Sequence, residues 1–320
     1  MTNPAAAQAD TPQQIHAADG YSLGARVFGS LTQARAVVLI HGAMAVPQRY
    51  YAAFSNYLAR RGFLAISYDY RGVGASRPMA LSGFEASARD WAELDARAAM
   101  GFAQRLAGPR PLFSVGHSFG GQITGLIDEA RQVDAAVMVG VQLGYYRMFS
   151  AAMQARLLGS FGVLLPLVSG LWGYAPGRFG LGEDLPKGVA EEWSKWCLSP
   201  GYLRDHVADA SARFARFDRP TLLFSFSDDD YAPKATVDAM VWALASAPLI
   251  HRRFAPSDLQ ARSVGHFGFF RRQREDLWRE VVDHLDAHIA GNASPLRSRE
   301  PHSFDLFSED IQADLEFGRS

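Results

Sequence analysis

The chain has 320 residues, 48% of them hydrophobic and 20% charged, with a net charge of -1. That balance describes a globular protein with a sizeable core, and it gives neither nucleic acid nor anionic lipid a global electrostatic attraction. The single cysteine, Cys197, excludes an intrachain disulfide framework and any cysteine-cluster metal site, and in SKWCLSP it reads as a packed apolar residue.

The opening MTNPAAAQADTPQQ lacks the basic start and apolar run of a signal peptide, so a cytoplasmic protein is expected. Residues 1–14 read as a frayed, flexible terminus. In QIHAADGYSLGARVFG, Asp19-Gly20 between two alternating segments is a hairpin signal. AVVLIHG (36–42) and FLAISYDYRG (63–72) read as buried strands separated by the helical RYYAAFSNYLARRG. The alternation continues with a helix over 84–107, the strand PLFSV, a helix after Ser118 and the strand AAVMVGV. It stops until PTLLFSF at Pro220, which is followed by a helix over 234–245, the strand PLIHRRFA, a loop and an amphipathic helix over 269–289.

Buried strands alternating with helices predict an α/β fold, a mostly parallel sheet flanked by helices, with a helical cap insertion. The chain divides into a first core part over 15–141, a cap or lid over 142–215, a second core part over 216–290 and a polar tail over 291–320. Within the cap, LLGSFGVLLPLVSGLWGYAPG (157–177) carries no charge. Its glycines and prolines are expected to break it into pieces too short to span a bilayer, giving a buried or pocket-lining helical pair. Membrane-surface contact is the minor alternative.

Val115-Gly116-His117-Ser118-Phe119-Gly120-Gly121 lies where a strand turns into a helix. A G-x-S-x-G elbow needs glycines around a serine held at a strained backbone angle, its hydroxyl pushed out at the carboxyl end of the sheet, and Ser118 is therefore the candidate nucleophile. His41-Gly42-Ala43-Met44 ends an earlier strand at the same sheet edge. There a backbone N–H of Ala43 and that of Phe119 form a candidate oxyanion hole, with His41 structural or pocket-lining. Asp69-Tyr70-Arg71-Gly72-Val73-Gly74-Ala75-Ser76 reads as a scaffold loop supporting the site.

With HGA at 41–43, DYRGVGAS at 69–76, GHSFGG at 116–121, the aspartates at 228–230 and GHFGFF at 265–270, the chain resembles an α/β-hydrolase. The resemblance covers about 14–289, points to the broad group of monoacylglycerol-lipase-like and serine-aminopeptidase-like enzymes, and extends through FGFFR to a set of bacterial hydrolases of this fold for which it implies no substrate. It places the acid after the strand that follows the cap and the base later still. Counting back from Pro233 selects Asp229, with Asp228 as the alternative because Phe226 stands where the family has glycine. The bystander aspartates are expected to cap the next helix or sit in water. His266, in a glycine-flanked loop, is the implied base, while His284 and His288 read as a solvated helix face.

No metal is expected, since three consecutive carboxylates without a D-x-D-x-D-G pattern do not make a cation loop. No cofactor is needed for acyl transfer to water. The expected substrate is a small acyl compound, an ester or thioester with an apolar acyl part, bound against His41, Met44, His117, Met148, Phe149, Phe161 and Trp172. The alternatives are an aminopeptidase or amidase using Glu183, Asp184, Glu191 or Glu192 to receive an amine, an acyltransferase, and a ligand-binding or membrane-associated scaffold without turnover. The serine in the elbow argues against the dehalogenases and epoxide hydrolases of this fold, which use aspartate there. The oligomeric state is not legible.

Overall fold

The structure is a computed structural model that describes residues 10–179 and 182–291. Its centre is an eight-stranded sheet in the order β1-β2-β4-β3-β5-β6-β9-β10. The hairpin of β1 (Asp10–His16) and β2 (Ser22–Phe28) forms one antiparallel edge, turning at Gly20 with φ of 86°. From β4 (Phe63–Tyr68) onward every neighbouring pair is parallel: β3 (Ala36–His41), β5 (Leu112–His117), β6 (Ala135–Val139), β9 (Thr221–Phe226) and β10 (Leu249–Phe254). The central strands are buried at every position, which is why they read as continuous apolar runs rather than alternating ones.

One face of the sheet packs on α1 (Ala52–Arg60) and α10 (Glu275–Ile289), with Phe54, Trp278 and Phe269 in its core. The other packs on α3 (Arg97–Ala107) and α4 (Phe119–Leu126), around Trp91, Met100 and Ile123. α3 continues a helix that begins with the turn α2 (Ala88–Asp90), where Ser87 and Asp90 form a reciprocal cap, and a π-helical stretch Trp91–Ala96. That cap starts the helix at 88 rather than at 84. Likewise α10 begins at Glu275, because 268–274 form short 3-10 turns. α9 (Lys234–Ala243) follows β9.

Two readings need correction. Residues 10–14 belong to β1, held by cross-strand pairing and by Arg26 Nε donating to Asp10 Oδ1 at 2.7 Å, so the terminus is ordered from Asp10. Residues 1–9 and the tail beyond Gly291 lie outside the described residues. Between β6 and β9, α5 (Ala151–Leu157), a π-helical stretch Leu158–Leu164 and α6 (Leu165–Trp172) join into one 22-residue helix instead of a broken pair. Pro166 falls in the first turn after the π-helical stretch, where the α-helical register is already interrupted, so its missing N–H ends nothing. The short pair β7 (Tyr174–Ala175) and β8 (Leu185–Pro186), then α7 (Lys187–Leu198) and α8 (Ala210–Arg216), complete the insertion.

Candidate active site

β3 and β5 are adjacent and in register, His41 opposite Gly116, so the loop after β3 and the turn after β5 share one place at the carboxyl edge of the sheet. At that turn Ser118 has φ 51° and ψ -117°, a conformation that costs a non-glycine residue energy and here points its side chain outward. The turn is tight enough that a Cβ at Gly120 would lie 2.1 Å from the His41 carbonyl oxygen, and one at Gly116 2.4 Å from Gly121. The Ser118 N–H is fixed to the Val139 carbonyl at 2.9 Å.

His266 Nδ1 lies 2.8 Å from Asp229 Oδ2. A carboxylate only accepts, so Nδ1 carries the proton and Nε2 is left as the basic nitrogen. The other oxygen of Asp229 accepts from the N–H groups of Tyr231 and Ala232, each at 2.9 Å, which fixes the carboxylate in place. Gly140, with φ of 57°, makes room for the pair, because a Cβ there would stand 3.2 Å from His266 Nδ1 and 3.3 Å from Asp229 Oδ2. Ser118 and His266 face one cavity of about 640 Å³. Its walls are mainly apolar: Met44, Val46, Tyr50, Met153, Leu157, Phe161, Leu164, Trp193, Tyr231 and Phe267.

A family model described as the alpha/beta hydrolase family matches residues 37–292. The chain belongs to the alpha/beta hydrolase family. A search of curated proteins finds no match. Among solved structures, a soluble variant of monoglyceride lipase from Saccharomyces cerevisiae, in complex with a substrate analogue, is 15% identical with a TM-score of 0.62, covering 90% of this chain and 99% of its own. An esterase from Exiguobacterium antarcticum is 17% identical, TM-score 0.57, covering 86% and 100%. A Pyrococcus furiosus esterase is 11% identical, TM-score 0.58, covering 89% and 95%. At these identities the likeness is one of fold.

Within this alpha/beta hydrolase the three aspartates part ways. Asp229 is buried against His266, and Asp230 is exposed. Asp228 neither caps a helix nor sits in water: its Oδ2 accepts from Ser263 Oγ at 2.9 Å and from Val264 N at 2.8 Å, tethering the loop that carries His266. Burial raises the Asp228 carboxyl, but hydrogen bonds from Val264, Gly265 and Ser263 outweigh it and hold the group below its ordinary value.

The loop after β3 departs from expectation. The Ala43 N–H donates to Tyr51 Oη at 2.8 Å and so is not offered to the cavity. Among the described residues no acceptor is found for Met44 N–H or Phe119 N–H. Tyr51 Oη also lies 2.9 Å from His117 Nδ1, and His117 Nε2 lies 2.9 Å from the His266 carbonyl. Burial, with His266 nearby, pushes His117 well below its ordinary pKa, so the ring is neutral. A carbonyl cannot donate, so Nε2–H donates to it and Nδ1 accepts the Tyr51 hydroxyl proton. The result is one buried chain, Ala43 N–H to Tyr51 O–H to His117, and His117 to the His266 backbone.

Several expected pocket residues lie elsewhere. His41 and His117 are buried beneath the cavity, His41 bonding Tyr68 Oη at 2.8 Å and pushed down to about 3 by burial. Met148 packs against the core, Phe149 is not among the lining residues, and Trp172 stands at the outer end of its helix. Met44 and Phe161 do line the cavity. Gln142 went unnoticed in the sequence: its Nε2 approaches Ser118 Oγ at 3.4 Å, and its only sequence signal is its place just after β6. No hydrogen bond joins His266 Nε2 to Ser118 Oγ among the described residues.

The four cap carboxylates all meet cations, Glu183 with Arg49, Asp184 with Arg77, Glu191 with Lys187 and Glu192 with Arg89. His284 and His288 are half-buried on α10 rather than solvated, and no group of three ligating side chains occurs among the described residues. Behind the elbow, Trp91 stacks on Tyr70 at 4.7 Å and donates to the Arg71 carbonyl at 3.0 Å. Arg71 in turn bonds the buried Asp95 and Asp19.

Proposed function

We propose that this alpha/beta hydrolase cleaves carboxylic esters or thioesters with an apolar acyl group through Ser118, His266 and Asp229. The observation that carries the reading is the 2.8 Å contact of His266 with Asp229 at the wall of an apolar cavity that also holds Ser118 in its strained turn. Ser118 Oγ attacks the acyl carbon as His266 Nε2 takes its proton; collapse expels the alcohol or thiol, which receives that proton. Water then attacks the acyl-enzyme, gives a proton to His266, and releases the acid and the free serine. Asp229 holds the imidazole in the required tautomer and stabilises its cation. Phe119 N–H and Met44 N–H, both without an acceptor among the described residues, are the oxyanion donors, Met44 taking the place of Ala43.

The pairing of Glu183, Asp184, Glu191 and Glu192 with cations removes support for an amine-binding site, and with it for an aminopeptidase. The test is hydrolysis of p-nitrophenyl esters from acetyl to long-chain acyl by wild type and Ser118→Ala. The expected result is a maximum at one chain length and a loss of roughly six orders of magnitude in the variant. Activity that survives in Ser118→Ala, or rates flat across the series, would overturn the mechanism or the apolar acyl site respectively.

A further inference from the structure

Along the helix Ala151–Trp172 the side chains that line the cavity change character. Arg156 is exposed and Ser160 half-buried, whereas Phe161 and Leu165, further along the same wall, are buried. The wall is therefore cationic and polar toward solvent and apolar within. The other arginine that lines the cavity, Arg49, is bound to Glu183, the one carboxylate among the lining residues. Arg156 has no such partner among the described residues, and its own helix supplies none, since no Asp or Glu occurs over 135–182. Ser160 Oγ, about one turn further on and on the same wall, likewise has no hydrogen-bond partner among the described residues.

A guanidinium without a counter-charge, on the wall of the cavity that holds Ser118, is complementary to an anion on the substrate and repels an ammonium group. The acyl chain takes the apolar inner end, so the anion belongs to the part that leaves. We propose that the substrate is an acyl ester or thioester whose alcohol or thiol carries a phosphate group, held by the Arg156 guanidinium and the Ser160 hydroxyl. This rests on the acyl-hydrolase reading above and names the other half of its substrate. Phosphate suits the pair, because the planar fork donates to two of its oxygens and the hydroxyl to a third. The step at the acyl carbon is unaltered: the phosphate stays on the alcohol or thiol as that group departs with the proton from His266.

The experiment is calorimetric binding to the full chain carrying Ser118→Ala, with and without Arg156→Gln, at low and high salt. The ligands form two pairs: decanoylglycerol against decanoylglycerol phosphate, and the decanoyl thioester of N-acetylcysteamine against decanoyl-coenzyme A. In each pair only the second member carries phosphate. In at least one pair that member is expected to bind about ten-fold more tightly at low salt, and the pair with the larger preference identifies the leaving group as alcohol or thiol. Arg156→Gln, at an exposed position, is expected to retain its circular dichroism and melting temperature while the preference falls to near unity. Arg156→Lys, which keeps the charge without the fork, should retain part of it. Equal affinity within both pairs, a preference that persists in Arg156→Gln or survives high salt, or failure of every ligand to bind would overturn the proposal. Binding to Ser118→Ala needs no turnover, so its outcome stands apart from the test of ester hydrolysis.

Discussion

Replacing Tyr51 by Phe removes one oxygen from a side chain that is 1% exposed and leaves the ring in place. That oxygen serves two buried groups, accepting from Ala43 N–H at 2.8 Å and donating to His117 Nδ1 at 2.9 Å. His117 cannot turn to another partner, because its Nε2–H is committed to the His266 carbonyl. A buried group left unpaired costs about 1–3 kcal/mol, so two cost about 2–6 kcal/mol, toward the lower end if the loop after β3 relaxes. Urea unfolding of Tyr51→Phe is expected to show a lower midpoint at unchanged slope. Since Tyr51 does not line the cavity, the KM of a soluble ester should stay near the wild-type value while kcat falls by about ten-fold, as the loop bearing Met44 N–H loosens. An unchanged midpoint with unchanged kcat would refute the claim that this hydroxyl holds the two loops together.

Asp229→Asn is expected to lower kcat by about four orders of magnitude with little loss of fold, whereas Asp228→Asn should cost about 1–3 kcal/mol of stability and far less activity; comparing kcat and urea midpoints of the two variants checks the division. Phe161→Ala, which removes a buried ring packed edge to face against Trp193 at 4.8 Å beside the cavity, is expected to move the ester optimum toward longer acyl chains, read from the same p-nitrophenyl series. Burial holds His41 at about 3, His284 at about 4 and His117 well below 6.5, so below about pH 6.5 the unfolded chain binds protons that the folded protein does not. Stability is therefore full above that pH and falls as pH drops, by about 1.4 kcal/mol per unit for each histidine. Asp95, raised by burial to about 6, opposes this between about 6 and 3.8, where the folded form takes up a proton first. Urea midpoints from pH 7 to 5 should fall, and His284→Gln should make the slope shallower by about one histidine's share.

The sheet was legible because central parallel strands are buried on both faces and so write themselves as uninterrupted apolar runs, and GHSFGG announced its turn because glycine alone fits where a Cβ would strike His41 or Gly121. What sequence could not show was the direction of an N–H. Ala43 stood at the right place in the loop, yet its amide turns to Tyr51, eight residues on, and no local pattern encodes that bond. Asp228 and Asp229 are likewise equivalent as letters; their roles divide only once 263–266 folds back over β9. The cap helix was misjudged for a physical reason: glycine and proline frequency measures interruption of an α-helix, and a π-helical stretch absorbs such residues without ending the rod.

The hydrogen bonds that hold Asp229, His266, His117, Tyr51 and Ala43 in place run entirely among residues outside 142–215. The imidazole is thus braced by the core, while the insertion reaches the site at two points, Gln142 Nε2 at 3.4 Å from Ser118 Oγ and the Glu183 N–H donating to the Ala45 carbonyl at 3.0 Å. Changes between β6 and β9 that spare Gln142 and Glu183 can alter what enters the cavity while the histidine and its partners keep their spacing, so new specificities are reachable there in small steps.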